Sequence, residues 1–356
     1  MGNNSFGKIL SITTFGESHG AAIGVTIDGL TPNFPLNLEK VQQDLNRRRP
    51  GGNKFGTKRN EKDQLKVLSG MFEGKITGTP LTIIIENTNQ ISKDYGDIKD
   101  VFRPSHADYT LYKKCGIRDY RGGGRASGRE TASRVIAGAI AKQYLELDKI
   151  SIEAATIQIG NIKVDKEKSS YNWDSRVNND LYVPDMEKAK EIEAFLDKLR
   201  REQDSIGGII ECKIKNLPVG LGEPTFNKFE AQLAKAMLSI GAVRGFEIGQ
   251  GFESAKLKGS QFNDQMDKNG FLSNNNGGVL GGITNSQDVI FRVAFKPTPS
   301  ISLAQKTIDK NNNEKIIEIK GRHDPCICPR AVVVVEAMAA LVALDFKMEN
   351  ECRRPF

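Results

Sequence analysis

Cysteine, histidine, tryptophan and long apolar runs are all scarce in this sequence. The 356 residues include five cysteines, an odd number, scattered between Cys115 and Cys352. Few, irregularly spaced cysteines in a long chain indicate a reduced protein without a disulfide framework. The longest apolar run, residues 331–344, contains Glu336 and is shorter than the roughly 18 residues of a membrane span. The N-terminal segment has neither the basic nor the apolar part of a secretion signal, so we expect a soluble cytoplasmic protein that binds no membrane.

Nucleotide-binding and metal-binding motifs are missing as well. The P-loop pattern G-x-x-x-x-G-K-[ST] does not occur, which argues against a P-loop nucleotide site. His323, Asp324, Cys326 and Cys328 stand close together, but no second cluster has metal-ligand spacing, so we expect no bound metal. The segment GESHG, residues 16–20, matches the G-x-S-x-G pattern of serine hydrolases. A strand-like segment follows it where that pattern needs a helix, so we interpret the match as coincidental.

The chain does contain enough apolar residues for a core and a surplus of basic ones. The hydrophobic fraction is 38%, and 35 glycines add to it, which is typical of a folded globular protein. Lysine and arginine number 51 against 44 acidic residues, a formal net charge of +7. This surplus favours anionic partners, and net charge alone does not choose between nucleic acid, acidic lipid and small molecules with phosphate or carboxylate groups.

Hydrophobic periodicity predicts a mixture of strands and helices. Strands are predicted by length and β-branched content at residues 8–14, 23–27, 81–86, 150–159, 206–214 and 288–295. Helices are predicted by periodicity at residues 38–45, 132–140, 186–199, 229–240 and 329–346, the last apolar on nearly every face and therefore buried. The polar segments 161–184 and 305–315 are expected to be exposed loops. Since no regular crossover helices separate the strands, we predict an α+β fold with antiparallel sheets packed on helices, in one domain covering residues 1–356.

The segment RGGGRASGRE, residues 121–130, has the properties of an anion site. Ser127 and Glu130 have the spacing of a capping box at the start of a helix, whose N-terminus favours negative charge. The glycines allow a ligand to approach the backbone closely, and three arginines add positive charge. An RNA contact of the RGG type is the alternative, but such segments are repeated and disordered, whereas this one occurs once before a helix.

Three histidines stand in polar, turn-rich segments. His19 lies in GESHG, His106 in RPSHAD and His323 in GRHDP, each beside Arg, Asp, Glu or Ser. Surface or capping imidazoles are the alternative to a shared site. Together with Asp324 they would supply groups for proton transfer. From its residues alone, the sequence predicts an enzyme or binding protein for a multiply anionic small molecule.

Taken together, these motifs resemble those of the chorismate synthase family, in the same order and from about Phe6 to Asp345. The matching segments are GESHG, NRRRPG, RPSHADYT, GIRDYRGGGRASGRETASRVIAGAIA, GEPTFNKFEAQLAKAMLSIGAV, NNNGGVLGGI, KPTPSI and GRHDPCICPRAVVVVEAM. The resemblance implies a β-α-β sandwich fold, a homotetramer, and a lyase of the shikimate pathway that makes chorismate from 5-enolpyruvylshikimate 3-phosphate. The anti-1,4 elimination of phosphate would require reduced FMN although it is redox-neutral, with NADP(H) as a candidate reductant and no nucleic-acid partner.

The resemblance also implies roles for individual residues. His19 would protonate the departing phosphate, and His106 would stabilise the anionic reduced flavin. Ser18 and Asp324 would form a proton relay toward flavin N5. The implied FMN contacts are Arg125, Ala126, Ser127, Gly241, Ala242, Gly281, Lys296, Pro297, Thr298, Pro299, Ser300 and Arg322; the implied NADP contacts are Arg48 and Lys54; the implied substrate ligands are Arg48 and Arg129. Lys54, Ala126 and Gly241 depart from the residues that many family members have at these positions. A flavin-binding relative without lyase activity, or a basic RNA-binding protein, is the competing interpretation.

Overall fold

The computed structural model describes residues 4–49, 51, 63–87, 99–319 and 324–353, and two five-stranded antiparallel sheets dominate it. The first half of the chain forms strands β1 (Ser5–Phe6), β2 (Ser11–Gly16), β3 (Ala22–Asp28), β4 (Leu65–Ser69), β5 (Met71–Phe72), β6 (Lys75–Ile76) and β7 (Leu81–Glu86). The second half forms strands β8 (Ser151–Ile159), β9 (Ile162–Lys163), β10 (Gly208–Lys215), β11 (Val243–Ile248), β12 (Met266–Asp267), β13 (Gly270–Phe271), β14 (Val279–Leu280), β15 (Ile283–Thr284), β16 (Val289–Phe295), β17 (Gln305–Ile308) and β18 (Glu314–Ile317). The strand order is β1-β2-β3-β7-β4 in the first sheet and β11-β16-β10-β8-β9 in the second.

Helices contact both sheets. They are α1 (Leu38–Arg48), α2 (Asp108–Cys115), α3 (Thr131–Glu146), α4 (Met186–Glu202), α5 (Phe229–Leu238), α6 (Gly259–Phe262) and α7 (Cys328–Cys352). Helix α3 packs on β2 and β3 of the first sheet and on β8 of the second, while α7 packs on α3, α1, α5, β8 and β10. Apolar side chains of these elements form a continuous core. The predicted α+β class with antiparallel sheets is confirmed.

Most elements predicted from periodicity are present, one loop prediction is wrong, and a second is wrong in part. All six predicted strands and five predicted helices overlap observed elements, with shifts at their ends. Residues 305–315 are not a loop but the β17–β18 hairpin, paired from Gln305–Ile317 to Ile308–Glu314. Residues 161–184 bury Trp173, Leu181 and Val183. The polar composition of both segments predicted loops. A short surface hairpin needs few apolar residues, so its strands give no apolar signal. In the longer segment, a few scattered apolar residues are enough to anchor the connection to the core.

Helices α3 and α7 approach each other closely where both have small residues. A Cβ placed on Gly138 would lie 2.3 Å from the Cβ of Ala337, so no side chain fits there without moving a helix. Val135 and Ile136, one turn earlier on α3, are fully buried. The small residues thus set the distance between the two central helices.

A turn near the start of the chain is held by the end of α7. The carboxylate of Asp345 accepts hydrogen bonds from the backbone N–H groups of Lys8, Ile9 and Leu10 at 2.8–2.9 Å. This turn joins β1 to β2. The edge of the first sheet therefore depends on a residue more than 330 positions later in the chain.

A buried ion cluster joins the three central helices. Glu336 of α7, 3% exposed, accepts bonds from Arg47 at 2.7 and 2.9 Å and from Lys142 at 2.7 Å. Asp44 contacts both of these cations. Burial alone would raise the pKa of Glu336, but the charges of Lys142 and Arg47 outweigh burial and lower it to about 2. The cluster fixes the last turn of α1 against α3 and α7.

We expect Glu336→Gln to lower the free energy of unfolding by about 3 kcal/mol at neutral pH, because it leaves two buried cations short of a carboxylate. Since folding lowers the pKa of Glu336 from 4.5 to about 2, its stabilisation is complete above pH 4.5 and is lost as the pH falls toward 2. Urea unfolding followed by circular dichroism should show the difference from wild type shrinking over that interval. As a control, Glu146→Gln removes an exposed pair with Lys40 and should cost less than about 1 kcal/mol. A difference independent of pH would contradict this account.

Candidate active site

The GESHG segment is a hairpin loop between β2 and β3, and a second strand end stabilises it. Asn87, directly after β7, donates from its side chain to the carbonyls of Glu17 at 2.9 Å and Gly20 at 2.8 Å. His19 is 9% exposed, and its Nδ1 lies 3.1 Å from Ser18 Oγ. Strand β3 follows the loop, where the serine-hydrolase pattern requires a helix.

The glycine-rich segment packs on this histidine. A Cβ on Gly122 would lie 2.1 Å from His19 Nδ1 and 2.9 Å from Ser18 Oγ, so only glycine fits without a shift. Arg125 binds the segment to the end of β2, donating to Thr14 Oγ1 at 2.6 Å and to the carbonyl of Gly16 at 3.2 Å. The loop therefore covers one side of the His19 ring.

The predicted capping box is present only in part. Ser127 accepts a bond from the backbone N–H of Arg129, but it caps a short 3-10 turn that leads into α3 and not α3 itself. The Glu130 side chain does not return to Ser127; it pairs with Arg134 and accepts from Thr14 Oγ1 at 3.0 Å. Competition from these cationic and hydroxyl donors explains the difference.

Two arginines share one buried carboxylate beside this loop. Asp63, 3% exposed, binds Arg48 Nη2 through Oδ2 at 2.8 Å and Arg129 Nη1 through Oδ1 at 2.6 Å. Burial would raise the pKa of Asp63, but the charges of Arg48 and Arg129 lower it. Arg129 Nε also donates to Asn87 Oδ1 at 2.6 Å, which links the pair to the GESHG loop.

Arg48 lies deepest in the cluster. It is 1% exposed, and burial, together with the neighbouring charges of Arg330 and Arg129, lowers its pKa to about 10 despite Asp63. Its Nη1 donates to the carbonyl of Gly128 at 3.1 Å. Its Nε is buried and has no hydrogen-bond partner in the part of the chain that the structure describes. An unsatisfied buried donor of this kind has the properties of a position for a ligand acceptor.

Asp324 joins the cluster through the first turn of α7. Its Oδ2 lies 2.5 Å from Arg330 Nη1, and Arg330 Nε donates to the carbonyl of Arg48 at 3.0 Å. Thr298 Oγ1 lies 3.3 Å from the Asp324 carbonyl. A continuous series of hydrogen bonds thus runs from the GESHG loop to the segment 296–300.

His106 lies in the connection before α2, next to a charged cluster. Its Nδ1 is 2.9 Å from Asp108 Oδ1, and Asp108 also binds Arg103 and Arg118. Burial would raise the pKa of Asp108, but hydrogen bonds from Arg103 and His106 hold it far below its usual range. The preceding residue, Ser105, has a left-handed backbone with φ of 57°.

The segment 296–300 connects His106 to the second sheet. Lys296 Nζ donates to the carbonyl of Ser105 at 2.6 Å, and its backbone N–H donates to that of Ala242 at 2.9 Å. Burial and the nearby charge of Arg244 lower the pKa of Lys296. Through these two contacts, Lys296 links the segment of His106 to residues 241–242 and to residues 298–300, which follow it in the chain.

The structure joins many of the implied site residues, and it places others apart. The connected set comprises Ser18, His19, Arg48, His106, Ala126, Ser127, Arg129, Gly241, Ala242, Lys296, Pro297, Thr298, Pro299, Ser300 and Asp324. Gly281 and Gly241 lie near opposite ends of α5. Gly281 is in the β14–β15 hairpin, where the Gly282 carbonyl accepts a hydrogen bond from the backbone N–H of Phe229 at the start of α5, and Gly241 follows the end of that helix. The Arg125 guanidinium is engaged by β2. Lys54, Arg322 and His323 lie outside the described residues.

Four residues that bind this site together received no role from sequence reasoning: Asp63, Asn87, Asp108 and Arg330. Asp108 and Arg330 lie within the segments RPSHADYT and GRHDPCICPRAVVVVEAM, so a search for charged neighbours of the implied catalytic residues could have found them. Asp63 and Asn87 lie in no motif. Their partners are distant in sequence, such as Arg129, 66 positions after Asp63, so no local signal identifies them.

Comparison with known proteins accounts for this arrangement. A family profile described as chorismate synthase matches residues 10–348. The chorismate synthase of Christiangramia forsetii is 52% identical over 352 residues, which cover 99% of this chain and 99% of that protein. The chain belongs to the chorismate synthase family. Another chorismate synthase, from Phocaeicola vulgatus, is 52% identical over 347 residues, 96% of this chain and 97% of its own. A crystal structure of chorismate synthase has a TM-score of 0.77 at 32% identity and covers 97% of this chain and 93% of its own.

Membership of the chorismate synthase family confirms the resemblance and the predicted activity. The protein is a lyase of aromatic amino-acid biosynthesis that converts 5-enolpyruvylshikimate 3-phosphate into chorismate and phosphate, and the reaction requires a reduced flavin. Among the described residues, no helix has the length and apolarity to cross a membrane. No cluster of three or more His, Cys, Asp or Glu suited to a metal ion occurs in the same residues.

Gly122→Ala tests whether the glycine-rich segment positions His19. The added methyl would overlap the imidazole, so the ring must move. For the proton-transfer role that the resemblance implies for His19, a displacement of about 1 Å is expected to lower turnover on the order of 100-fold. Gly259→Ala is the matched control, because a Cβ there meets nothing within 4 Å. Turnover and melting temperature should be measured for both variants. Normal turnover in Gly122→Ala would show that the ring position does not matter.

Proposed function

We propose that the connected cluster around Asp63 binds the anionic groups of 5-enolpyruvylshikimate 3-phosphate. The observation that carries this proposal is the burial of Arg48 and Arg129, held by one carboxylate in the same hydrogen-bonded series as His19 and Asp324. The substrate has two carboxylates and a phosphate, and guanidinium groups fixed in position bind such groups with two parallel hydrogen bonds. Among the described residues, the buried Nε of Arg48 has no acceptor, so one donor of the cluster is not used by the protein.

His19 is the proposed proton donor to the departing phosphate. Its ring is 9% exposed and confined by Gly122 on one side, with Nδ1 near Ser18 Oγ. A general acid must be held within hydrogen-bonding reach of the leaving oxygen, and this confinement supports such a role. Ser18 and Asp324 are proposed to form a relay, toward flavin N5, for the proton that is removed from the substrate ring. The ion pair with Arg330 fixes the orientation of the Asp324 carboxylate, as a relay group requires.

Reduced FMN is the proposed flavin, and the residues of segment 296–300 fit it. They offer an ammonium group on Lys296 and hydroxyls on Thr298 and Ser300, which are donors suited to a phosphate and a polar ring edge. A Cβ at Gly241 would meet nothing within 4 Å, so no protein group fills the space beside it. When bound, the flavin supplies electron density to the bond that breaks. His106 would stabilise its anionic form, with Arg125, Ala126, Ser127, Ala242, Gly281 and Arg322 as further proposed contacts.

Several broader properties belong to the same proposal. The continuous core supports one domain over residues 1–356, and the contacts of α3 with both sheets support the β-α-β sandwich. Exposed aromatic side chains such as Phe226 and Phe252 are available for contacts between the subunits of the proposed homotetramer. A cytoplasmic location without nucleic-acid or membrane partners is proposed from the family resemblance alone. Arg48 and Lys54 are the proposed contacts of NADP(H).

Anaerobic turnover tests the cofactor assignment. We expect phosphate and chorismate release from 5-enolpyruvylshikimate 3-phosphate with reduced FMN and none with oxidised FMN. Phosphate release that continues without any reduced flavin would contradict the assignment. Binding to RNA that weakens steeply with salt, in a protein that lacks turnover and saturable flavin binding, would favour the competing interpretation.

His106→Ala and Asp324→Ala test the proton-transfer roles. Each should lower turnover at least about 100-fold, the usual contribution of a positioned acid or base. The Kd for FMN, measured by fluorescence, should change much less. Asp324→Asn keeps the volume of the side chain, and Asp267→Ala in the exposed β12–β13 turn controls for loss of a carboxylate. Equal losses in turnover and FMN affinity would show that these residues are structural.

A further inference from the structure

We propose that Asn87 is a positioning residue that fixes the proton donor His19 and the anion-binding Arg129 relative to each other. The inference rests on the proposed roles of those two residues and extends them. Asn87 comes directly after strand β7, lies in no motif and has no role in the resemblance. Its evidence is one side-chain amide that binds two separate parts of the site.

The nitrogen of the Asn87 amide holds the loop that contains His19. It donates to the carbonyl of Glu17 at 2.9 Å and to the carbonyl of Gly20 at 2.8 Å, which lie on either side of His19 in the chain. The backbone N–H of Asn87 adds a third hydrogen bond, to the carbonyl of Ala21 at 3.0 Å. The backbone on both sides of the histidine is therefore attached to the end of β7.

The oxygen of the same amide holds Arg129. The Nε of Arg129 donates to Asn87 Oδ1 at 2.6 Å, and its Nη1 donates to Asp63 Oδ1 at 2.6 Å. A planar guanidinium that is held at two of its nitrogen atoms has a fixed direction, as a bidentate contact with a carboxylate or phosphate requires. Asn87 supplies one of these two anchors.

The partners of the Asn87 amide determine its orientation. A guanidinium N–H can only donate, so the atom that faces Arg129 is the amide oxygen. The two loop carbonyls can only accept, so the atom that faces them is the amide nitrogen. A reversed amide would lose all three of these hydrogen bonds. Aspartate has nearly the same shape, but it has no donor for the carbonyls when it is ionised.

One rigid group thus connects the proposed proton donor to the proposed anion site. The loop around His19 cannot shift without breaking its bonds to the amide that also anchors Arg129. The glycine-rich segment connects the same residues by a second route, since Gly122 packs on the His19 ring and Arg129 follows in that segment. A substrate anion bound by Arg129 would meet the imidazole at a preset distance, and an error of about 1 Å there lowers a rate on the order of 100-fold.

A double-mutant cycle on turnover tests the link to His19. We expect Asn87→Ala to lower kcat on the order of 100-fold, because the loop is no longer held where proton transfer needs it. In the His19→Ala background, which has lost the donor itself, Asn87→Ala should lower kcat by less than about threefold. A residue that only stabilises the fold would lower kcat by the same factor in both backgrounds, and that result would overturn the inference.

Substrate affinity tests the link to Arg129. No turnover is expected with oxidised FMN, so the Kd for 5-enolpyruvylshikimate 3-phosphate can be measured by calorimetry in its presence. Asn87→Ala should raise this Kd roughly tenfold, since Arg129 loses one of its anchors, and by less than about twofold when Arg129→Ala is already present. An unchanged Kd in Asn87→Ala would show that Arg129 is oriented without Asn87 and would overturn the inference.

Asn87→Asp provides a second variant if Asn87→Ala fails to fold. It keeps the size of the side chain and the acceptor for Arg129, but an oxygen would face the carbonyls of Glu17 and Gly20. We expect kcat to fall at least as far as in Asn87→Ala. Wild-type kcat in Asn87→Asp would show that the two donors do not position His19, and the inference would be wrong.

Asn179→Ala is the matched control. Asn179 is half-buried like Asn87, and its amide also binds loop backbone, donating to the Val183 carbonyl at 2.8 Å and accepting from the Leu181 N–H at 3.2 Å. We expect this variant to lower the melting temperature without changing kcat or the substrate Kd. A fall in kcat as large as that in Asn87→Ala would show that lost stability explains both variants, against the inference.

The single variants separate this inference from the proposed roles. Full turnover in His19→Ala, or an unchanged substrate Kd in Arg129→Ala, would overturn the proposed role of that residue and the inference with it. Loss of turnover in His19→Ala and of affinity in Arg129→Ala, with wild-type kcat and Kd in Asn87→Ala, would overturn the inference alone.

Discussion

The last turn of α1 is fixed by buried charge, and the site depends on it. Arg47 binds Glu336 in the interior, while the next residue, Arg48, binds Asp63 at the site. Neighbouring residues on a helix point in different directions, so one guanidinium anchors the turn and the other faces the ligand region. Arg330 adds a second link between α7 and the Arg48 carbonyl. Removing a carboxylate from such a pair leaves a buried cation uncompensated, which is why these contacts are costly to break.

Carboxylates organise the cations throughout the site. Asp63 holds Arg48 and Arg129, Asp324 holds Arg330, and Asp108 holds Arg103, Arg118 and the His106 ring. In the proposed site, a multiply anionic substrate would meet guanidinium groups that are already oriented, so little ordering would be needed when it binds. In that proposal the acidic partners are as important to anion recognition as the arginines.

The sequence predicts those helices and strands whose pattern is formed by neighbouring residues. The apolar periodicity of α3 and α7 and the alternation in β7 and β16 are properties of neighbouring residues, and those elements were predicted. The motifs containing His19, His106 and Asp324 were recognised for the same reason. Asp63 and Asn87 were not, because their roles arise only when strand ends from separate parts of the chain meet. The hairpin at residues 305–317 was missed because its strands are short and polar.

The hydrogen bonds from the backbone of Lys8, Ile9 and Leu10 to Asp345 have a consequence for folding during translation. The carboxylate that closes this turn is synthesised more than 330 residues after the turn itself. Joining ends so far apart carries a large loop-closure cost and slows folding. The turn that closes the edge of the first sheet can therefore be completed only after Asp345 has been translated, and until then this edge lacks a contact that protects it from other nascent chains.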